Sequence, residues 1–130
     1  MYQTRKEVIK AANTSDKAAI LSSIRHWKEL STAPPRDLVN HEPYLTSKEC
    51  ALCERFYLII YSDWNILSCR DCPLDKIGEG CLNNSDSIYK NAEDEFYCVD
   101  DASSKPELYA AVKRFRRRAK KMVKVLESLL

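Results

Sequence analysis

The sequence predicts an α+β fold, in which a small zinc-ribbon-like β-hairpin packs between an N-terminal helix and a long C-terminal amphipathic helix. Three observations predict it. Cys50, Cys53, Cys69 and Cys72 stand in the spacing C-x2-C-x15-C-x2-C, which fits a pair of metal-binding turns joined by a hairpin. The residues between the two pairs are rich in aromatic and β-branched types, which favour strands. Apolar residues recur at helical spacing in the first and last quarters of the chain. A chain of 130 residues, 45% hydrophobic and 31% charged, is globular and fits one domain. We divide residues 1–130 into a helical part over 1–33, a metal-binding hairpin and loop over 49–100, and a basic helix over 104–130.

Thr4 with Glu7 three residues on predicts a capping box and a short helix from Arg5. Val8 and Ile9 are β-branched, which leaves a short strand as the alternative. Asn13, Thr14 and Ser15 then offer helix caps, and Ile20, Ile24, Trp27 and Leu30 follow at helical spacing, with Leu21 widening the stripe. The spacing predicts a helix from Asp16 to Ser31 that buries Ile24 and Trp27. Pro34, Pro35 and Pro43 mark the following stretch as an ordered loop. Residues 56–61, Phe-Tyr-Leu-Ile-Ile-Tyr, and then Ile66 and Leu67 across a polar turn predict a hairpin from Arg55 to Ser68. The segment from Pro73 to Glu95 reads as loop and holds both glycines of the chain, and "FYCVDD" after it reads as a short strand. Ser104 and Glu107 predict a second capping box. From there Leu108, Val112, Phe115, Ala119, Met122, Leu126 and Leu129 form one seam. It runs along a helix of roughly 25 residues, about 37 Å long. The seam closes either on Ile20, Ile24 and Trp27 in the same chain or on its copy in a homodimer. Intrachain packing and a monomer are favoured, because Phe115 and Ala119 make a poor coiled-coil seam.

The four thiols are read as one structural zinc site. A two-residue gap lets both sulfurs of a pair aim at one ion, and four thiolates complete a tetrahedron with Zn–S of about 2.3 Å. Such a site leaves no open coordination position and contributes to folding directly. Cysteines packed as small hydrophobes, redox-active pairs, an iron–sulfur cluster and disulfides are the alternatives. The cluster is suggested by "CRDCP" followed by Cys81. Cys81 is also an exchange ligand within the zinc reading, and Cys98 is read as a core thiol. His26, beside Trp27 on a helix, and His41, in a Pro-rich loop, are read as packing and loop residues rather than ligands.

Charge is uneven along the chain. Residues 105–130 hold nine Lys/Arg against two Asp/Glu, a balance of +7, and residues 1–104 balance at −5. Arg114, Arg116, Arg117, Arg118, Lys120, Lys121 and Lys124 crowd the last helix. Their face is either solvated, paired with the acidic stretch "EDEFYCVDD", or presented to an acidic protein or to nucleic acid. A membrane-surface role is disfavoured because the apolar face of the helix is needed for the core. No run of 18 apolar residues exists to span a membrane. The N-terminal residues lack the apolar core of a secretory signal. A reducing cytoplasm is the expected compartment, where paired cysteines hold metals more often than they form disulfides. With two glycines there is no Gly-rich phosphate loop, and no Ser-His-Asp or Cys-His arrangement stands out. Enzymatic activity is not expected, a thiol-redox activity of one C-x-x-C being the catalytic alternative.

"SIRHWKEL", "CALC", "CRDCPL" and "GEGC", in that order, resemble a group of small cysteine-rich proteins encoded by bacteriophages and prophages. The resemblance covers residues 20–82 and rests on His26, Trp27, Cys50, Cys53, Cys69, Cys72, Pro73 and Cys81. The group usually carries a Thr-Pro-Tyr after its last shared cysteine. This chain has "LNNSDSIY" there and keeps only Tyr89. The resemblance implies a non-enzymatic protein that acts in the host bacterial cytoplasm by binding and modulating a host protein, a defence component being one such target. A nucleic-acid-binding accessory protein that uses the basic helix is the alternative.

Overall fold

The computed structural model describes residues 2–43, 50–56, 58–60, 66–68, 72–80 and 86–130. The chain is built from helices, which corrects the expected α+β class. The elements are α1 (Arg5–Thr14), α2 (Asp16–Thr32), α3 (Pro35–Val39), α4 (Ala51–Phe56), β1 (Leu58–Ile60), β2 (Ile66–Ser68), α5 (Pro73–Lys76), α6 (Ile88–Asp101) and α7 (Lys105–Ser128). The only strand pairing among the described residues is a ladder of three residues a side, with Ile59 opposite Leu67. It makes no sheet layer, and the zinc-ribbon hairpin packed between two helices is not the architecture.

α1 starts as its capping box predicts. The Thr4 hydroxyl accepts from the Glu7 amide, and the Glu7 carboxylate accepts from the Thr4 amide. Ser15 ends α1 and begins α2, its hydroxyl accepting from the Ala18 amide at 3.0 Å. The two helices fold back on each other. Arg25 pairs with Glu7, and the Glu29 carboxylate accepts from the Gln3 amide at 3.0 Å. Tyr2 donates to Asp37 at 2.5 Å, tying the lead-in of α1 to α3.

α2 buries Ile20, Ile24, Trp27 and Leu30 as the periodicity predicts, while Leu21 stays 47% exposed. The covering element is α7, whose Val112, Phe115, Ala119, Met122 and Leu126 are buried. The seam therefore closes within the chain. α6 covers the other flank of α7, and Phe96 meets Phe115 edge-on with ring centroids 5.3 Å apart. Residues 102–104 join the two helices, too short a link for anything but a helical hairpin.

Three departures from the sequence reading have physical causes. "FYCVDD" is the end of α6, not a strand, because Ala92, Phe96 and Val99 recur at helical spacing and pack onto α7. That tertiary contact overrides the local strand propensity. Pro35 begins α3 instead of breaking a helix, since the first helical position needs no amide hydrogen and already favours the proline φ. "CALCERF" is the helix α4, capped by Cys50, whose carbonyl accepts from the Glu54 amide at 3.1 Å.

Candidate functional site

The first thiol pair is set by a helical turn. Cys50 caps α4 and Cys53 lies three residues on, so both project from one side of the helix start. Ala51 and Leu52 are buried and pin that turn against the core, with Ser23 Oγ of α2 at 4.0 Å from Cys50 Sγ. Cys72 caps α5, with Pro73 at the first helical position. α5 ends in a Schellman turn. Gly78 adopts φ +77° there, while the amides of Gly78 and Glu79 donate back to Asp75 and Leu74 at 3.0 Å each. Glu79 then accepts from the Ile88 amide at 3.1 Å, which helps cap α6. The Glu79 bond thus ties the turn that follows Cys72 to the start of α6.

Cys50, Cys53 and Cys72 line one cavity of about 20 Å³ with Leu52, Leu74 and Tyr89. Tyr89 in turn meets Trp27 edge-on at 5.9 Å. The structure therefore sets thiols from both sequence motifs on the wall of one small cavity. Among the described residues no group of three or more His, Cys, Asp and Glu side chains forms a metal site. Cys69, the expected fourth ligand, and Cys81, the expected exchange ligand, lie outside the described residues. Cys98 is exposed on α6, not in the core as expected. His26 is buried beside Trp27, and His41 Nε2 is 2.7 Å from Asp100.

The basic cluster of α7 divides into internal and outward groups. Arg114 Nε donates to Glu95 of α6 at 2.9 Å, and that hydrogen bond holds the guanidinium above its usual pKa. Arg116 Nη2 donates to the carbonyl of Ala33, at the end of α2, at 2.7 Å. Arg118 is half-buried. Arg117, Lys120, Lys121 and Lys124 are exposed, and none of them forms an ion pair among the described residues. The acidic stretch of α6 therefore takes one arginine and leaves most of the row free.

Packing of α3 against α7 makes a groove that the sequence reading did not contain. It has a volume of about 500 Å³, and its lining includes Pro35, Tyr109, Lys113, Arg116, Arg117 and Lys120. Tyr109 is 58% exposed at its edge. Lys113 and Tyr109 were absent from the predicted surface, although Tyr109, Lys113, Arg116 and Lys120 are spaced 4, 3 and 4 along the sequence. That spacing is the signal of a single helix face. Pro35 could be added only by the fold.

Among the described residues no helix is long and apolar enough to cross a membrane. Comparison with protein-family models, with curated proteins and with solved structures found no match for this chain.

Proposed function

We propose that this chain is a non-enzymatic interaction protein that docks an acidic host protein on the outward face of α7, with a structural zinc bracing its middle segment. The observation that carries this reading is the row Lys113, Arg117, Lys120 and Lys124, exposed and without ion pairs among the described residues. Cations left in water on a rigid helix steer an oppositely charged partner and fix its register. The zinc reading rests on Cys50, Cys53 and Cys72 lining one cavity and on the sequence spacing that adds Cys69, which lies outside the described residues, as fourth ligand. Zinc would there act as a structural cross-link between segments distant in sequence. The resemblance to phage-encoded proteins supports a host protein as the target and the bacterial cytoplasm as the compartment.

Nucleic acid is the second reading, favoured by the exposed ring of Tyr109 beside four cations of the groove. Affinity purification from host lysate separates the two. The intact chain is compared with a variant carrying Arg117→Glu, Lys120→Glu and Lys124→Glu. The expected result is an acidic protein retained by the first, lost by the second and insensitive to nuclease. Recovery of nuclease-sensitive material alone would replace the proposal with the second reading. Equal recovery by both proteins would remove α7 as the binding surface.

A further inference from the structure

We infer that the groove between α3 and α7 is a peptide-binding site for a short segment of the partner in which carboxylates alternate with apolar side chains. The inference rests on the proposed docking face and adds which part of it is used and by what chemistry.

The groove has two unlike components. Its apolar lining includes Pro35, buried Val112 and the exposed ring of Tyr109. Its cationic lining carries Lys113, Arg116, Arg117 and Lys120. The groove is open and has a volume of about 500 Å³, room for a few side chains of a segment laid across it. A lining that is part apolar and part cationic calls for a ligand of the same two parts. Apolar side chains would cover Pro35 and Tyr109, and carboxylates would meet the ammonium and guanidinium groups. Arg116 is already directed by its bond to Ala33, so its guanidinium is held in place before binding. A preorganised group loses less entropy on binding than a free one.

The surroundings favour a short acidic peptide over a nucleic acid strand. The basic row is bounded on one flank by α6, where Glu95 holds Arg114 and Glu93 holds Lys90. The rest of the chain balances at −5. A polyanion with a charge every ~1.7 Å of duplex would run past the groove onto that acidic body. A peptide with a few carboxylates ends where the cations end.

The test uses the full chain, loaded with zinc, as bait for a library of short random peptides, followed by affinity measurement of the enriched sequences. Enriched peptides are expected to pair Asp or Glu with aromatic or aliphatic residues. Their affinity should fall about tenfold or more, the scale of ~1.4 kcal/mol, in a groove variant with Tyr109→Ala and Lys113→Ala. It should change little in an outer variant with Lys121→Ala, an exposed residue outside that row. Circular dichroism melts of both variants check that the fold is kept. Enrichment of peptides without acidic residues, no enrichment at all, or equal binding by the groove variant would overturn the inference. Tighter binding and full competition by oligothymidylate would overturn it in favour of single-stranded nucleic acid. Loss of peptide binding only in the outer variant would overturn the groove while leaving α7 as the docking face.

Discussion

Arg116 and Arg117 are neighbours in sequence, yet they should behave oppositely when each is replaced by alanine. Arg116 is half-buried and donates from Nη2 to the Ala33 carbonyl at 2.7 Å. Ala33 itself is 2% exposed. A hydrogen bond from a charged donor contributes about 1.5–3 kcal/mol net, and its loss leaves a carbonyl poorly placed to find water. Alanine matches arginine closely in helix propensity, so the backbone adds little. The expected cost of Arg116→Ala is therefore about 2 kcal/mol. At roughly 4 °C per kcal/mol for a domain of this size, Tm should fall by about 8 °C. Arg117 is exposed and forms no ion pair among the described residues. Arg117→Ala should change stability by no more than about 0.5 kcal/mol, or about 2 °C. Parallel thermal melts by far-UV circular dichroism make the comparison, and binding of the captured partner adds the second reading. Arg117→Ala should weaken the partner while leaving Tm alone. If both substitutions lowered Tm alike, or if Arg116→Ala melted as the parent does, the division of the basic row into anchoring and outward cations would be wrong.

Three further outcomes follow. Cys53→Ser should lose bound zinc, measured by elemental analysis against an expected ~1 equivalent per chain, and lower Tm, whereas Cys98→Ser on the exposed face of α6 should do neither. On the acid side, the Arg25 hydrogen bond, helped by the Thr4 amide, holds Glu7 below its ordinary pKa of 4.5. A depressed carboxylate contributes stability that is present above the ordinary value and lost as pH falls through the folded one. Melts taken down through the carboxylate range should therefore show a shallower acid loss in Glu7→Gln, and Glu107→Gln should act in the same direction at the start of α7, where Ser103 holds that carboxylate low. On the alkaline side, burial first and then the bond to Asp37 push the Tyr2 phenol from 10.0 up to about 12. Its contribution is present below 10 and fades as pH rises toward 12, so the stability advantage of the parent over Tyr2→Phe should shrink across that interval in alkaline melts.

The helices legible in the sequence were those whose signals are local and agree with one another. α1 has its capping box, α2 has Ser15 and a stripe of large apolar residues, and α7 has Ser104 and a seam along nearly its whole length. Even there one detail shifted, because Glu107 accepts from Ser103 and not from Ser104. The missed elements carried signals that serve two structures equally. A C-x-x-C spacing suits a metal-binding knuckle, but it also places two residues on one side of a helical turn, as in α4. Phe96 and Val99 favour strands locally, and only their packing on α7 shows α6 to be helical. Cys50, Cys53 and Cys72 line one cavity with Tyr89 and Leu74, two residues that the cysteine spacing could not supply. The basic cluster was legible as composition. Sorting it needed Glu95 and Ala33, and the groove needed Pro35, all supplied from outside α7.

The mutual cover of α2 and α7 bears on how the molecule assembles. These helices stand near opposite ends of the chain, yet each hides the other's apolar face. During synthesis Ile20, Ile24 and Trp27 must wait in water, or on a chaperone, until α7 leaves the ribosome. The α6–α7 hairpin has a short link and its own Phe96–Phe115 contact, so it is the part suited to nucleate first. Newly made chains are therefore most prone to aggregate just before α7 emerges.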